Sequence, residues 1–99
     1  MATEGRQLRL TPLAQADLEE IWRYTFSRWS VEQADRYHRD LVATMEALAG
    51  GQKTGRVCTV RDGYFKYTVG SHMVFYRLME HSLDVIRVLH QRMDVGRHV

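Results

Sequence analysis

Within nine residues, 90–98, the chain carries His90, Arg92, Asp94, Arg97 and His98. A histidine can move a proton near neutral pH, and an arginine fork holds a phosphate or carboxylate. Upstream, Lys66, Arg77 and Arg87 interrupt otherwise apolar runs, in FKYTV, VFYR and DVIRVL. A buried unpaired guanidinium is too costly, so Arg77 and Arg87 must each reach solvent, pair with an acid or face a partner. Cations with a histidine could assist metal-free phosphodiester cleavage, which needs a base, an acid and charge to stabilise the phosphorane. The same residues could equally face a partner.

Other chemistries lack their parts. Cys58 is the one cysteine, so no intrachain disulfide forms, and a lone thiol with no defined base reads as inert. His72, His81, His90 and His98 show no metal-ligand spacing. No Gly-rich phosphate loop or nucleophile elbow is present. No metal and no cofactor is expected.

The elements that must position these residues can be read from periodicity. Leu8 and Leu10 flank Arg9 at strand spacing. Thr11-Pro12 then opens a helix, with threonine as cap and proline at the first helical position. Leu18, Ile21, Trp22, Thr25 and Trp29, with Phe26 beside them, make an apolar stripe. Ser30 restarts the pattern with a capping box, SVEQ, in which Ser30 serves the Gln33 amide and Gln33 reaches back. Ala34, Tyr37, His38, Leu41, Met45 and Leu48 form the second stripe, and Gly50-Gly51 stops it. Helices near 12–28 and 31–49 with almost no linker predict an antiparallel hairpin. The aromatic residues Trp22, Phe26, Trp29 and Tyr37 are expected to pack this hairpin on a sheet.

From residue 64 the period changes to two. Phe65, Tyr67 and Val69 alternate with Tyr64, Lys66 and Thr68, and Gly70-Ser71 and Glu80-His81-Ser82 mark turns. The run LDVIRVLH predicts a last strand with Ile86, Val88 and His90 on one face and Val85, Arg87 and Leu89 on the other. The expected fold class is α+β: an N-terminal strand, an antiparallel helical hairpin, then a three-stranded antiparallel meander, in the order β-α-α-β-β-β. At 99 residues, 44% hydrophobic and 26% charged, this is one domain, 1–99, with an ordinary globular composition.

Net charge is +2. It is unevenly placed: residues 11–49 hold four basic and seven acidic side chains, residues 50–99 eight and four. A total this small does not imply nucleic-acid binding, but the second half is a basic lobe on a mildly acidic one. There is no signal peptide and no stretch of transmembrane length, so a cytoplasmic protein without membrane contact is expected.

Four segments together resemble a known family: TPLAQADLEEIWRY, the second helix of form S-x-E-Q-A-x-x-Y-x-x-x-L, VGSHMVFYR, and DVIRVLHQRMDVGRHV. They are similar to the ParE branch of the RelE/ParE toxin superfamily of bacterial type II toxin–antitoxin systems. The resemblance implies a toxin that inhibits DNA gyrase, serves plasmid stabilization, and is neutralised by a cognate ParD-like antitoxin in a hetero-oligomer. It implies no catalytic site of the toxin's own, and nucleic-acid contact only through antitoxin or gyrase. RelE-like relatives instead cut messenger RNA on the ribosome, using cations on the sheet and a C-terminal proton carrier. Against that pattern Lys66 keeps the first basic position, but Thr68, Met73 and Val95 stand where two cations and a terminal tyrosine are found. His90, Arg77 and Arg87 would remain as a reduced site. A toxin reduced to antitoxin binding and operon corepression is the third reading. For target or antitoxin contact the expected residues are Lys66, Arg77, Arg87, His90, Arg92, Met93, Arg97 and His98. For an antitoxin groove they are Trp22, Phe26 and Tyr37. An antitoxin covering both lobes should carry apolar anchors and acidic residues.

Overall fold

A computed structural model describes residues 5–93 and 95–99, without the side chain of Val95. Strand β1 (Gln7–Leu10) leads into helix α1 (Pro12–Arg28), and α2 (Val31–Ala49) follows at once. Then come β2 (Arg56–Val57), β3 (Tyr64–Val69), β4 (His72–Leu78), β5 (Ser82–His90) and a short helix α3 (Val95–His98). The helix starts are fixed as their sequence demands. The Thr11 hydroxyl accepts the Ala14 amide at 3.0 Å, and the Ser30 hydroxyl accepts that of Gln33 at 3.1 Å. The Gln33 side chain does not close the box. It accepts instead from Arg36 at 3.4 Å. Past α2, Gly51 takes φ +86°, the left-handed conformation that ends the helix.

The sheet has five strands in the order β1-β5-β4-β3-β2. The β3–β4–β5 meander is antiparallel, as expected. The N-terminal strand, however, pairs with β5 in parallel, which makes the sheet mixed, and the two-residue β2 adds an edge. The last strand also departs from simple alternation. Phe75 pairs with Arg87 and Tyr76 with Val85, so Ile86 is an extra residue on β5. This bulge resets the pleat. Val85 and Val88, expected on opposite faces, both join the core beneath the helices.

That core lies between hairpin and sheet. Ala14, Leu18, Ile21, Leu41 and Met45 meet Val74, Tyr76, Leu83, Val85 and Val88, with Phe65, Tyr67, Val69 and Tyr37 packed against them. A smaller cluster occupies the other face of the sheet: Cys58, Phe75 and Leu89, covered by Tyr64, Met73 and Val99. The aromatic expectation for the hairpin holds only for Tyr37. The buried residues of α1 end at Ile21, so its last turns point their rings outward. Trp29 is 75% exposed and Phe26 48%. Trp22 is half-buried and stacks on Phe26 at 5.4 Å, outside the core. Among the described residues no helix is long and apolar enough to cross a membrane.

Candidate functional site

Beyond Val85, β5 has no strand beside it on the β1 side, because the register of β1 ends at Leu10. Helix α1 fills that role. The Thr11 amide donates to the Val85 carbonyl at 3.1 Å, and its hydroxyl donates to Ile86 at 2.8 Å. Six residues on, Asp17 receives the Val88 amide at 2.9 Å. Its two oxygens also take the Nε and Nη2 protons of Arg87, at 2.8 and 2.9 Å. Both side chains are mostly buried, 14% and 17% exposed. The hydrogen bond to Asp17 raises the Arg87 pKa further above its ordinary value, so the guanidinium is permanently charged. The remaining nitrogen, Nη1, donates to the His98 carbonyl at 3.3 Å. Arg87 thus fastens the C-terminal helix to the helical layer.

A second polar cluster lies at the β3–β4 turn. The Tyr37 hydroxyl donates to the Val69 carbonyl at 2.9 Å and lies 2.8 Å from His72 Nδ1. With its proton on Val69, Tyr37 accepts from His72, which puts the His72 proton on Nδ1. Burial raises the Tyr37 pKa, while the Ser71 amide opposes this and Asp40 adds to it. Burial also lowers the pKa of His72; neighbouring His90 lowers it further, and Asp17 pulls the other way. The two imidazoles meet edge to face at 5.3 Å. His90 Nδ1 accepts the Arg92 amide at 3.1 Å, so His90 starts the turn into the tail. Gly70, at φ +56°, is required here: a Cβ would stand 2.8 Å from the Tyr37 hydroxyl.

The expected site residues fall into three groups. Arg87, His90 and His98 are brought together around the tail, with Arg92, Met93 and Arg97 exposed next to them. Lys66 and Arg77 are on β3 and β4, on the sheet face away from the helices, where Arg77 lies over the Tyr64 ring at 5.7 Å. Trp22 lines an open groove of about 560 Å³ between the helices, with Gln15, Leu18, Glu19, Arg23, Asp35 and His38, and Phe26 stacks on Trp22 without lining the groove. There the Trp22 indole donates to Asp35 at 2.9 Å. Tyr37 is apart from that groove, committed to the turn. Asp17 and His72 were not singled out by sequence. Asp17 reads as one more exposed acid of a helix, and no local pattern points to a partner 70 residues away.

Thr68 and Met73 face each other across β3 and β4, so the two positions where RNA-cleaving relatives place cations are neighbours, and neither is charged. Arg87 is engaged internally. Among the described residues, no three histidine, cysteine or acidic side chains could hold a metal ion.

A family model described as the ParE toxin of the type II toxin–antitoxin system parDE matches residues 8–95. A protein named Toxin ParE1 of Mycobacterium tuberculosis is 50% identical over 92 residues, spanning 91% of this chain and 94% of that protein. The fold is similar to a chain of the chromosomal ParDE toxin–antitoxin system from P. aeruginosa, with a TM-score of 0.77 at 21% identity, over 89% of this chain and 98% of that one. A chain of the RelBE2 toxin–antitoxin complex of Mycobacterium tuberculosis superposes less closely, with a TM-score of 0.57 at 20% identity over 93% and 98%.

Proposed function

The chain belongs to the ParE toxin family of type II toxin–antitoxin systems, and from that premise we propose that it is a toxin acting on DNA gyrase in the cytoplasm, held inactive by its cognate antitoxin. The observation that carries the choice against messenger RNA cleavage is the Thr68–Met73 pair. A metal-free ribonuclease must neutralise the charge that builds on the phosphorane. This cross-strand pair, one step from the β3–β4 turn, carries no charge for that step. The histidines do not replace it: His72 is half-buried and tends to the neutral form, and His90 is tied to the tail turn.

The toxin works, in this reading, by occupying a surface of the gyrase–DNA complex and blocking religation, without making or breaking bonds itself. The tail residues Arg92, Met93, Arg97 and His98 are the contact assigned to gyrase, because they are exposed while Arg87 and Val99 anchor the chain end. The antitoxin is assigned the groove beside Trp22 and Phe26.

Induced expression without antitoxin tests this. Gyrase poisoning gives filamentous cells and linearised plasmid while translation continues. Cuts in ribosome-bound messenger RNA, seen by toeprinting, would establish the nuclease instead. Normal growth would leave antitoxin binding and corepression as the function.

A further inference from the structure

We propose that the sheet face turned away from the helices is a binding site for the phosphate backbone of nucleic acid, bound directly and without gyrase or antitoxin. The proposal goes beyond the toxin reading, and its failure leaves that reading standing. It also departs from the expectation drawn from net charge, which counts cations without regard to where they meet.

Two pairs of like charges carry it. On the edge of the sheet Arg56 and Lys66 are direct cross-strand partners. Like charges in that position destabilise a sheet. One strand pair further, Arg61 and Arg77 both stack on the Tyr64 ring, at 5.6 and 5.7 Å. Among the described residues none of these four cations has a carboxylate within ion-pair distance. The acid nearest in register, Asp84 opposite Arg77, is engaged by Arg9 at 3.4 Å and by Ser82. Repulsion left uncompensated on a folded surface is relieved by an anion.

The local shape specifies the anion. Arg56 and Lys66 border a hollow of about 200 Å³ whose walls also include Thr54, Thr68 and Met73. Among the described residues, neither threonine hydroxyl is hydrogen-bonded to protein. Two cations and two free hydroxyls are the donor set that phosphate oxygens take. The pairs are separated by the two-residue step from Lys66 to Tyr64, about 7 Å along a strand. Phosphates one or two nucleotides apart, at about 3.4 Å of axis per nucleotide, fit that spacing. Because guanidiniums occupy the Tyr64 ring, it orients cations and is not a platform for a base. Binding is therefore to backbone and indifferent to sequence. An acidic protein segment fits less well. The charges would attract such a segment, but the hollow offers its apolar anchors little beyond the half-buried Met73, since Cys58 and Phe75 are buried.

The test is fluorescence anisotropy of the full-length toxin with a labelled DNA duplex, with single-stranded RNA and with polyglutamate, across a salt series. Binding with a log–log salt slope of about −3.6 on duplex or about −2.8 on single-stranded RNA is expected for four contacts, and the tighter of the two names the physiological polymer. Arg56→Gln with Lys66→Gln should reduce the slope by about 2, as should Arg61→Gln with Arg77→Gln. Arg36→Gln with Arg39→Gln, on the exposed side of α2, changes net charge equally and should leave it unchanged. Lys66→Gln alone should raise Tm by about 2 °C, because it relieves the repulsion. Absence of salt-dependent binding, equal loss in the α2 variant, polyglutamate binding as tight as nucleic acid, or a lowered Tm in Lys66→Gln would each overturn the proposal.

Discussion

Asp17 and Arg87, 70 residues apart, meet in a two-bonded ion pair of 2.8 and 2.9 Å that joins α1 to β5. The same carboxylate receives the Val88 amide, so Asp17 stands in for the missing strand neighbour of β5. Removing one partner strands the other charge with little solvent around it. Asp17→Ala and Arg87→Ala should each cost about 3 kcal/mol of stability. Asp17→Leu with Arg87→Met should recover most of that, since neither charge then needs a partner. Urea denaturation of the three variants checks this; a double variant as unstable as the singles would show that the pair is not the cause. Charge reversal at Arg87 is consequently a poor probe of partner binding, because it places two carboxylates together.

The hairpin and the meander were legible because their signals are local. Thr11-Pro12 and Ser30 cap, Gly51 stops, and Phe65, Tyr67 and Val69 alternate toward the core as their spacing predicts. What was not legible depends on distant pairing. The parallel seat of Gln7–Leu10 beside β5, the bulge at Ile86 and the Asp17–Arg87 pair leave no periodic trace. Nor did pattern reading distinguish Tyr37, which reaches the β3–β4 turn, from Phe26 and Trp29, which face outward. All are apolar at helical spacing, and only the end of the buried strip of α1 at Ile21 decides.

Stability should depend on pH through His72. Its folded pKa lies below the ordinary 6.5. The unfolded chain then binds the proton more readily, so stability is full above about pH 6.5 and falls as pH drops through that value toward the folded pKa. The charged groups around it are His90 and Asp17, with Arg87 paired to Asp17 and Asp40 beside Tyr37. His72→Gln should flatten the profile of Tm between about pH 5 and 7. An unchanged slope would assign the dependence elsewhere.

The tail should protect the outer cluster. Val99 packs beside Cys58, Phe75 and Leu89, and Cys58 is 2% exposed. Deleting residues 93–99 removes one of the three side chains that cover the cluster and should make Cys58 react with a thiol reagent about tenfold faster, since local opening is then easier. The same deletion should reduce killing in a plating assay more than it reduces antitoxin binding. A tail-less chain that kills like the full chain would remove the tail from the gyrase contact.

Antitoxin recognition should divide between charge and apolar contact. The rings of Trp22 and Phe26 stack beside the groove between the helices, and Phe26 is half-exposed with no core contact to hold it there. An amphipathic segment that buries these rings gains most of its lifetime from them. Phe26→Ala removes one ring without disturbing the core; it should speed dissociation by about 30-fold, the equivalent of roughly 2 kcal/mol at an interface anchor. The cations of the sheet act earlier. They attract an acidic segment over a distance that salt shortens, so Arg77→Glu should slow association and flatten its salt dependence, with little change in dissociation. Arg77 suits this test because it is exposed and pairs with no carboxylate among the described residues, unlike Arg87. Surface plasmon resonance on antitoxin, repeated from low to high salt, separates the two rates. Association indifferent to salt in the unaltered chain would refute the electrostatic half, and an unchanged dissociation rate in Phe26→Ala would move the anchor elsewhere on the hairpin.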